Sequence, residues 1–230
     1  MRNLLMTFFI SSVLLTACAQ VPDLQGGHTR YFNVEAIAKT DIDMVADTLV
    51  KQNTAQLKLL ATKLYKRNPQ QWKKTKFTSR EAAIERIFNS PFPFVEKKRS
   101  TNSIRLAFDE NYQGDRVLAF VAGLGSMLAL SYNEKDDFYL FDSLDAQKLY
   151  NSARNIEVAS WLLRTKRNQK GQLFLLSSGY QGTHSNQSYE RIFGKLIGQQ
   201  DSFAHVIATK THRVIKNVIQ STAKLVFLPV

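Results

Sequence analysis

Apolar residues recur along this chain at helical spacing. From Asp41 to Lys66 they fall at Ile42, Val45, Leu49, Leu57, Leu60 and Leu64, while Lys51, Lys58 and Lys66 occupy other faces. That spacing predicts a long amphipathic helix, and Pro69, just past Arg67-Asn68, marks where it stops. Thr78 and Glu81 have the spacing of a capping box, which predicts a short helix running through Phe88. Pro91 and Pro93 break the chain, Glu96 to Arg99 forms a polar connector, and Ser103 to Asn111 predicts a further helix.

The segment Val117 to Tyr132 is uncharged over sixteen residues, with Gly123, Gly125 and Ser126 at its centre. A helix that is apolar all round is either buried or in a membrane. Sixteen residues span about 24 Å, short of the roughly 30 Å hydrocarbon core, so the reading is a central buried helix. Its small residues would let a neighbouring helix approach closely. Phe138 to Phe141 reads as a short strand or a buried connector.

Asp142 and Asp145 offer caps for a helix from Leu144 to about Arg167, with Leu149, Ala153, Ile156, Ser160 and Leu163 on one face and Gly171 closing it. Ser177 to Ser188 is a loop. Helical patterning resumes from Tyr189 to Gly198 and again from Ser202 to about Lys224. The pattern as a whole predicts an all-α fold: a single helical domain of about seven or eight helices, with room for one short β-hairpin or extended connector.

The first twenty residues follow a different logic. Met1-Arg2-Asn3 supplies one positive charge, and Leu4 to Leu15 is largely apolar. Small residues then precede the only cysteine. This is the layout of a secretory signal peptide. Its last step, Leu15-Thr16-Ala17-Cys18, resembles the lipobox of bacterial lipoproteins. That resemblance covers the first twenty residues and leaves the rest of the chain unassigned. It implies a diacylglyceryl group on the sulfur of Cys18, cleavage just before it, and acylation of the new amino group. On this reading residues 1–17 are the signal peptide, 18–30 the lipidated N-terminus and tether, and 31–230 the helical domain. Ala19-Gln20 stand where an aspartate would imply retention in the inner membrane. The resemblance therefore implies the outer membrane, with the body facing the periplasm. One acyl chain binds a membrane only marginally, whereas two or three hold it stably.

Composition narrows the remaining choices. The 230 residues are 44% hydrophobic, enough for a packed core and too many for long disorder. One cysteine excludes a disulfide scaffold. The net charge of +12 is unevenly placed: residues 51–105 carry 14 Lys+Arg against 3 Asp+Glu, and residues 109–145 carry 2 against 8. The basic stretch is interleaved with Tyr65, Trp72, Phe77 and Phe88. In a cytosolic protein that mixture would suggest nucleic acid. Behind a lipobox it points to anionic lipid headgroups, lipopolysaccharide phosphates, peptidoglycan carboxylates or an envelope protein, and no nucleic acid is expected. Lys73, Lys74, Lys76 and Arg80 form the candidate basic patch.

Catalytic motifs are sparse. His205 and His212 are seven apart, about 10.5 Å along a helix, too far to share one metal unaided. Around Ser126 a GxSxG elbow would need glycines where Leu124 and Leu128 stand. Glu81, Glu85, Glu110, Glu157 and Glu190 all lack the following serine that marks a lytic transglycosylase acid. Asp136, Asp137, Asp142 and Asp145 lack calcium-loop spacing and read as a turn and a cap. The loop Gly179-Tyr180-Gln181-Gly182-Thr183-His184 is the remaining candidate pocket, so the alternative reading is an envelope hydrolase with a site near Tyr180 and His184. A third is a membrane-perturbing protein acting through Val117 to Tyr132. The leading expectation is a non-enzymatic, lipid-anchored envelope protein, with no metal site and no cofactor implied.

Overall fold

Helix α1 (Asp41–Arg67) begins at a reciprocal capping box. The Thr40 hydroxyl accepts from Asp43 N, and Asp43 accepts from the Thr40 amide at 2.7 Å. The computed structural model to which α1 belongs describes residues 39–178, 187–217 and 226–230, with the backbone of 180–181 and 184–185. Along α1 the buried stripe holds the expected Leu57, Leu60 and Leu64, joined by Ala46 and Ala61, while the expected Ile42 and Leu49 are half-buried. Val45 departs from that stripe and is exposed, because the inward positions of the first turns belong to Asp43 and Asp47. Asp47 is held inside by the Phe138 amide at 2.8 Å and by Lys39 Nζ at 2.5 Å.

Next comes the single-turn helix α2 (Pro69–Trp72), which opens on Pro69. Helix α3 (Arg80–Ile87) starts one residue later than the Thr78 box predicts. Ser79 is the cap: its hydroxyl accepts from Ala82 N at 3.1 Å, and the Glu81 carboxylate turns outward to Arg80. Helix α4 (Ser100–Leu106) starts three residues before and ends five residues before the expected Ser103 to Asn111. The chain leaves it through turns whose carbonyls, at Ala107, Asp109 and Tyr112, are gathered by the Arg116 guanidinium at 2.6–2.8 Å.

Helix α5 (Arg116–Ser131) is the buried central element. Asp115 caps it, accepting from Val117 N at 2.9 Å and Leu118 N at 3.0 Å. The small residues do what the sequence suggests. Gly123 lies directly under the α4 backbone, the Ser126 hydroxyl accepts from Ser100 N at 2.8 Å, and Ser103 Oγ donates to Ala119 O at 2.8 Å. Among the described residues no helix is long and apolar enough to cross a membrane.

Phe138 to Phe141 is a connector of turns. Helix α6 (Ala146–Thr165) is capped by Asp145 alone, through Gln147 N at 2.8 Å. Asp142, the other expected cap, instead accepts from Tyr139 N at 3.0 Å and pairs with Lys135. Gly171 does not close α6, which ends at Thr165; at φ +75 it serves the tight turn between Asn168 and Gln172. Strands β1 (Tyr180–Gln181) and β2 (His184–Ser185) pair antiparallel, a hairpin of two residues a side.

The two C-terminal helices expected from the sequence are one, α7 (Ser188–Thr211). Gly194 and Gly198 lie inside it with open space where a side chain would point, and it ends at His212 in the left-handed region (φ 52). The expected helical stretch past 212 is not found in residues 213–217, and its remainder, 218–225, lies outside the described residues.

The architecture is all-α, with seven helices among the described residues. Helix α7 runs antiparallel to α1: Lys63 Nζ sits 5.5 Å from the Tyr189 ring centre, Gln199 bonds Gln52, and Ile207 shares a cluster with Ala46. The larger apolar cluster surrounds α5. A smaller one joins Tyr132, Phe138, Leu149 and Phe203 where α1 begins and α7 ends. Residues 226–230 lie against α6. Asn155 exchanges two hydrogen bonds with Leu228 (2.6 and 2.9 Å), and Asn151 donates to Pro229 O at 2.8 Å.

Candidate functional site

The basic stretch folds into a cleft because α1 stops where it does. The Asn68 amide closes onto Leu64 O at 2.8 Å, and Pro69 restarts the chain at an angle. Trp72 then packs on the main cluster, and the chain turns through 73–78 before Ser79 opens α3. Between these elements lies a solvent-open cleft of about 500 Å³, lined by Tyr65, Lys66, Trp72, Lys73, Ser79 and Arg80 among others. Lys73 Nζ lies 5.9 Å from the Trp72 ring centre, at the outer limit of a cation–π contact. Arg80 Nη2 meets Glu81 Oε1 at 2.6 Å, and that hydrogen bond holds the Glu81 carboxyl below its usual range.

Lys66, Lys73 and the Glu81-paired Arg80, a net of two positive charges beside an indole, can bind an anionic group with an apolar neighbour. Of the four patch residues expected from the sequence, the structure brings Lys73 and Arg80 onto this cleft. Lys66, from the preceding helix, joins them. Lys76 does not line it.

Lys74 points elsewhere, donating to Gly114 O at 3.2 Å above the buried Asp115–Arg116 pair. Burial lowers its pKa, the nearby Arg116 adds to that, and Asp115 opposes both. Asp115 also accepts from the Tyr65 hydroxyl at 2.7 Å. Burial raises its pKa, against the hydrogen bonds from Leu118, Tyr65 and Val117. Perturbed carboxylates of this kind often mark catalysis. Here both carboxylate oxygens accept from the protein, and Arg116 spends its nitrogens on carbonyls while stacking 4.7 Å from Phe174. The pair ties α1, α4 and α5 together.

Cys18 lies outside the described residues, as do the side chains of Tyr180 and His184. At the base of that loop the Ser178 hydroxyl donates to Glu190 (2.7 and 2.8 Å). Ser126 is buried and donates to Ala122 O, so its hydroxyl is engaged as a helix contact. His205 is exposed on α7 and His212 forms its end. Among the described residues no three His, Cys, Asp or Glu side chains cluster as a metal site.

A second, narrower recess, unforeseen in the sequence, lies between α1 and α5 and encloses about 30 Å³. The buried Asn53 amide approaches the Tyr132 hydroxyl there, which accepts from Gln200 Nε2 at 3.2 Å. Only a polar residue at an inward helix position, Asn53 between Val50 and Leu57, signals it in the sequence.

No protein family, curated protein or solved structure matches this chain.

Proposed function

We propose that this chain is a lipid-anchored protein of the cell envelope, acylated on Cys18, whose helical body binds an anionic partner rather than catalysing a reaction. The observation that carries the binding reading is the cleft that gathers Lys66, Lys73 and Arg80 around Trp72. Its chemistry suits phosphates or carboxylates, such as lipid headgroups, lipopolysaccharide, peptidoglycan or an acidic envelope protein. The anchor reading rests on Leu15-Thr16-Ala17-Cys18, and Ala19-Gln20 favour the outer membrane, facing the periplasm.

The test separates cleft from charge. Each cation near an anionic surface is worth about 1 kcal/mol, or roughly fivefold in affinity. Lys73→Ala with Arg80→Ala should weaken salt-sensitive binding to envelope fractions by about 10- to 30-fold. Lys74→Ala with Lys76→Ala removes the same charge off the cleft and should cost clearly less. Equal losses from the two pairs would reduce the cleft to diffuse charge, and unchanged binding in both would remove the proposal. For the anchor, Cys18→Ala should abolish palmitate incorporation; labelling that persists refutes it.

A further inference from the structure

The exposed large apolar side chains are unevenly placed. Met44, Val45, Tyr139, Leu140, Phe141, Val206 and Val214 are chain neighbours of residues in or against the smaller cluster, among them Ala46, Phe138, Ile207 and Ile215, where α1 begins and α7 ends. Phe141 is 95% exposed and Val214 92%. A monomeric surface seldom presents such a concentration without a partner. Two segments build it. The 139–141 turn is fixed from below by Asp47 on the Phe138 amide and by Asp142 on the Tyr139 amide. The 213–217 segment is fixed to the start of α6, with Gln147 and Lys216 exchanging bonds at 2.8 and 3.2 Å, and Ile215 packs on the same cluster. Both segments hold their apolar side chains outward from a fixed base.

What covers this end follows from where the chain enters it. Lys39, the first described residue, lies here, with its Nζ 4.7 Å from the Tyr139 ring centre and 2.5 Å from Asp47. It stands 21 positions after Cys18. The cations placed to meet a headgroup layer come from the other segment. Beside the turn, Asp142 pairs with Lys135, and Lys39 is shared between Asp47 and the more distant Asp137. Lys210, Arg213 and Lys216 flank exposed Val214 and are themselves exposed.

We infer that this end of the body is a membrane-contacting tip, with Leu140, Phe141 and Val214 entering the interfacial layer and Lys210, Arg213 and Lys216 meeting lipid phosphates. The inference rests on the lipid anchor at Cys18 proposed above. It adds that the body is seated on the bilayer rather than hanging from it. The basic cleft lies at the far end of α1. From Asp41 to Lys66 the rise is about 37 Å, so a seated body presents the cleft away from its own membrane. Among the anionic partners allowed above, seating therefore selects those on the periplasmic side.

The chain's single cysteine makes the test direct. Leu140→Cys carrying an environment-sensitive dye is prepared in the full chain in two forms: lipidated at Cys18 and reconstituted on phosphatidylethanolamine/phosphatidylglycerol vesicles, and with Cys18→Ala added to the same vesicles. The same dye on Leu59→Cys, exposed midway along α1, is the control. A blue shift and brightening at 140 but not at 59, in either form, is the expected result. Leu140→Ser with Phe141→Ser should also lower vesicle partitioning of the Cys18→Ala chain by about tenfold or more. Shift at neither site in both forms overturns the tip, as does equal shift at 140 and 59. Failure of the anchor reads out separately, as palmitate labelling that survives Cys18→Ala.

Discussion

Adding one methyl group should have opposite effects at two glycines of this fold. At Gly123, at the centre of α5, a Cβ would lie 2.7 Å from Ile104 N, 2.8 Å from Ile104 Cγ1 and 3.0 Å from Ser100 O. Two of those three atoms are α4 backbone. That helix is itself tied to α5 by Ser100 N to Ser126 Oγ and by Ser103 Oγ to Ala119 O, so it cannot yield cheaply. Overpacking costs about 1–3 kcal/mol, and two contacts under 3.0 Å place this site in the upper part, about 2–3 kcal/mol, against a helix-propensity gain of about 1 kcal/mol for replacing glycine by alanine. Gly123→Ala should therefore destabilise the body by about 1–2 kcal/mol. At Gly198 in α7 a Cβ meets nothing within 4 Å, so Gly198→Ala keeps only the gain and should stabilise by about 0.5–1 kcal/mol. For a body of this size 1 kcal/mol moves Tm by about 2–4 °C, so the two variants should melt roughly 3–12 °C apart. Thermal and urea unfolding of the Cys18→Ala chain, followed by circular dichroism, measures this. Gly123→Ala melting with or above the parent would refute the close α4–α5 approach, and a destabilised Gly198→Ala would refute the open face of α7.

Asp115→Ala removes the cap of α5 and strands the buried Tyr65 hydroxyl, so it should cost about 2–4 kcal/mol, with Asp115→Asn costing less. Equal urea midpoints for Asp115→Ala and the parent would show that the bonds carry no net stability. Burial pushes the Tyr112, Tyr132 and Tyr189 phenols up to about 12, and Tyr65 higher still. Because these folded values exceed the unfolded one near 10, their contribution to stability is whole below about pH 10 and is lost as pH rises from there toward about 12. In a phenolate absorbance titration these four tyrosines should ionise only as the chain unfolds; ionisation near pH 10 with the fold intact would contradict their burial.

The helices were legible where one physical cause governs a whole stretch. An uninterrupted apolar run can only be buried or in lipid, and its length decided for α5. Small residues at 123–126 foretold a close neighbour, which proved to be α4. Errors arose where a local rule met a tertiary one. Asp142 looks like a cap as good as Asp145, but a salt link to Lys135 takes it. Gly198 reads as a stop, yet the apolar spacing on either side keeps one face packed and carries α7 through it. Val45 reads as core, although the Thr40–Asp43 box and the Asp47–Phe138 bond had already fixed which face turns inward. The cleft was half visible. Lys73 and Arg80 stand in one basic run, but Lys66 joins them only because Asn68 and Pro69 fold the chain back, and that same turn sends Lys74 to Gly114.

Helix α1 has a mechanical meaning as well. It runs unbroken for 27 residues from the end where the chain enters at Lys39 to the cleft at Lys66. If the N-terminus is tethered as proposed, anything gripped in the cleft and pulled loads this helix along its axis. The Thr40–Asp43 box closes the first turn at one end of that helix, and the Tyr65–Asp115 bond couples the other end to the core. The fold is braced along the line on which a tethered binding protein would be strained.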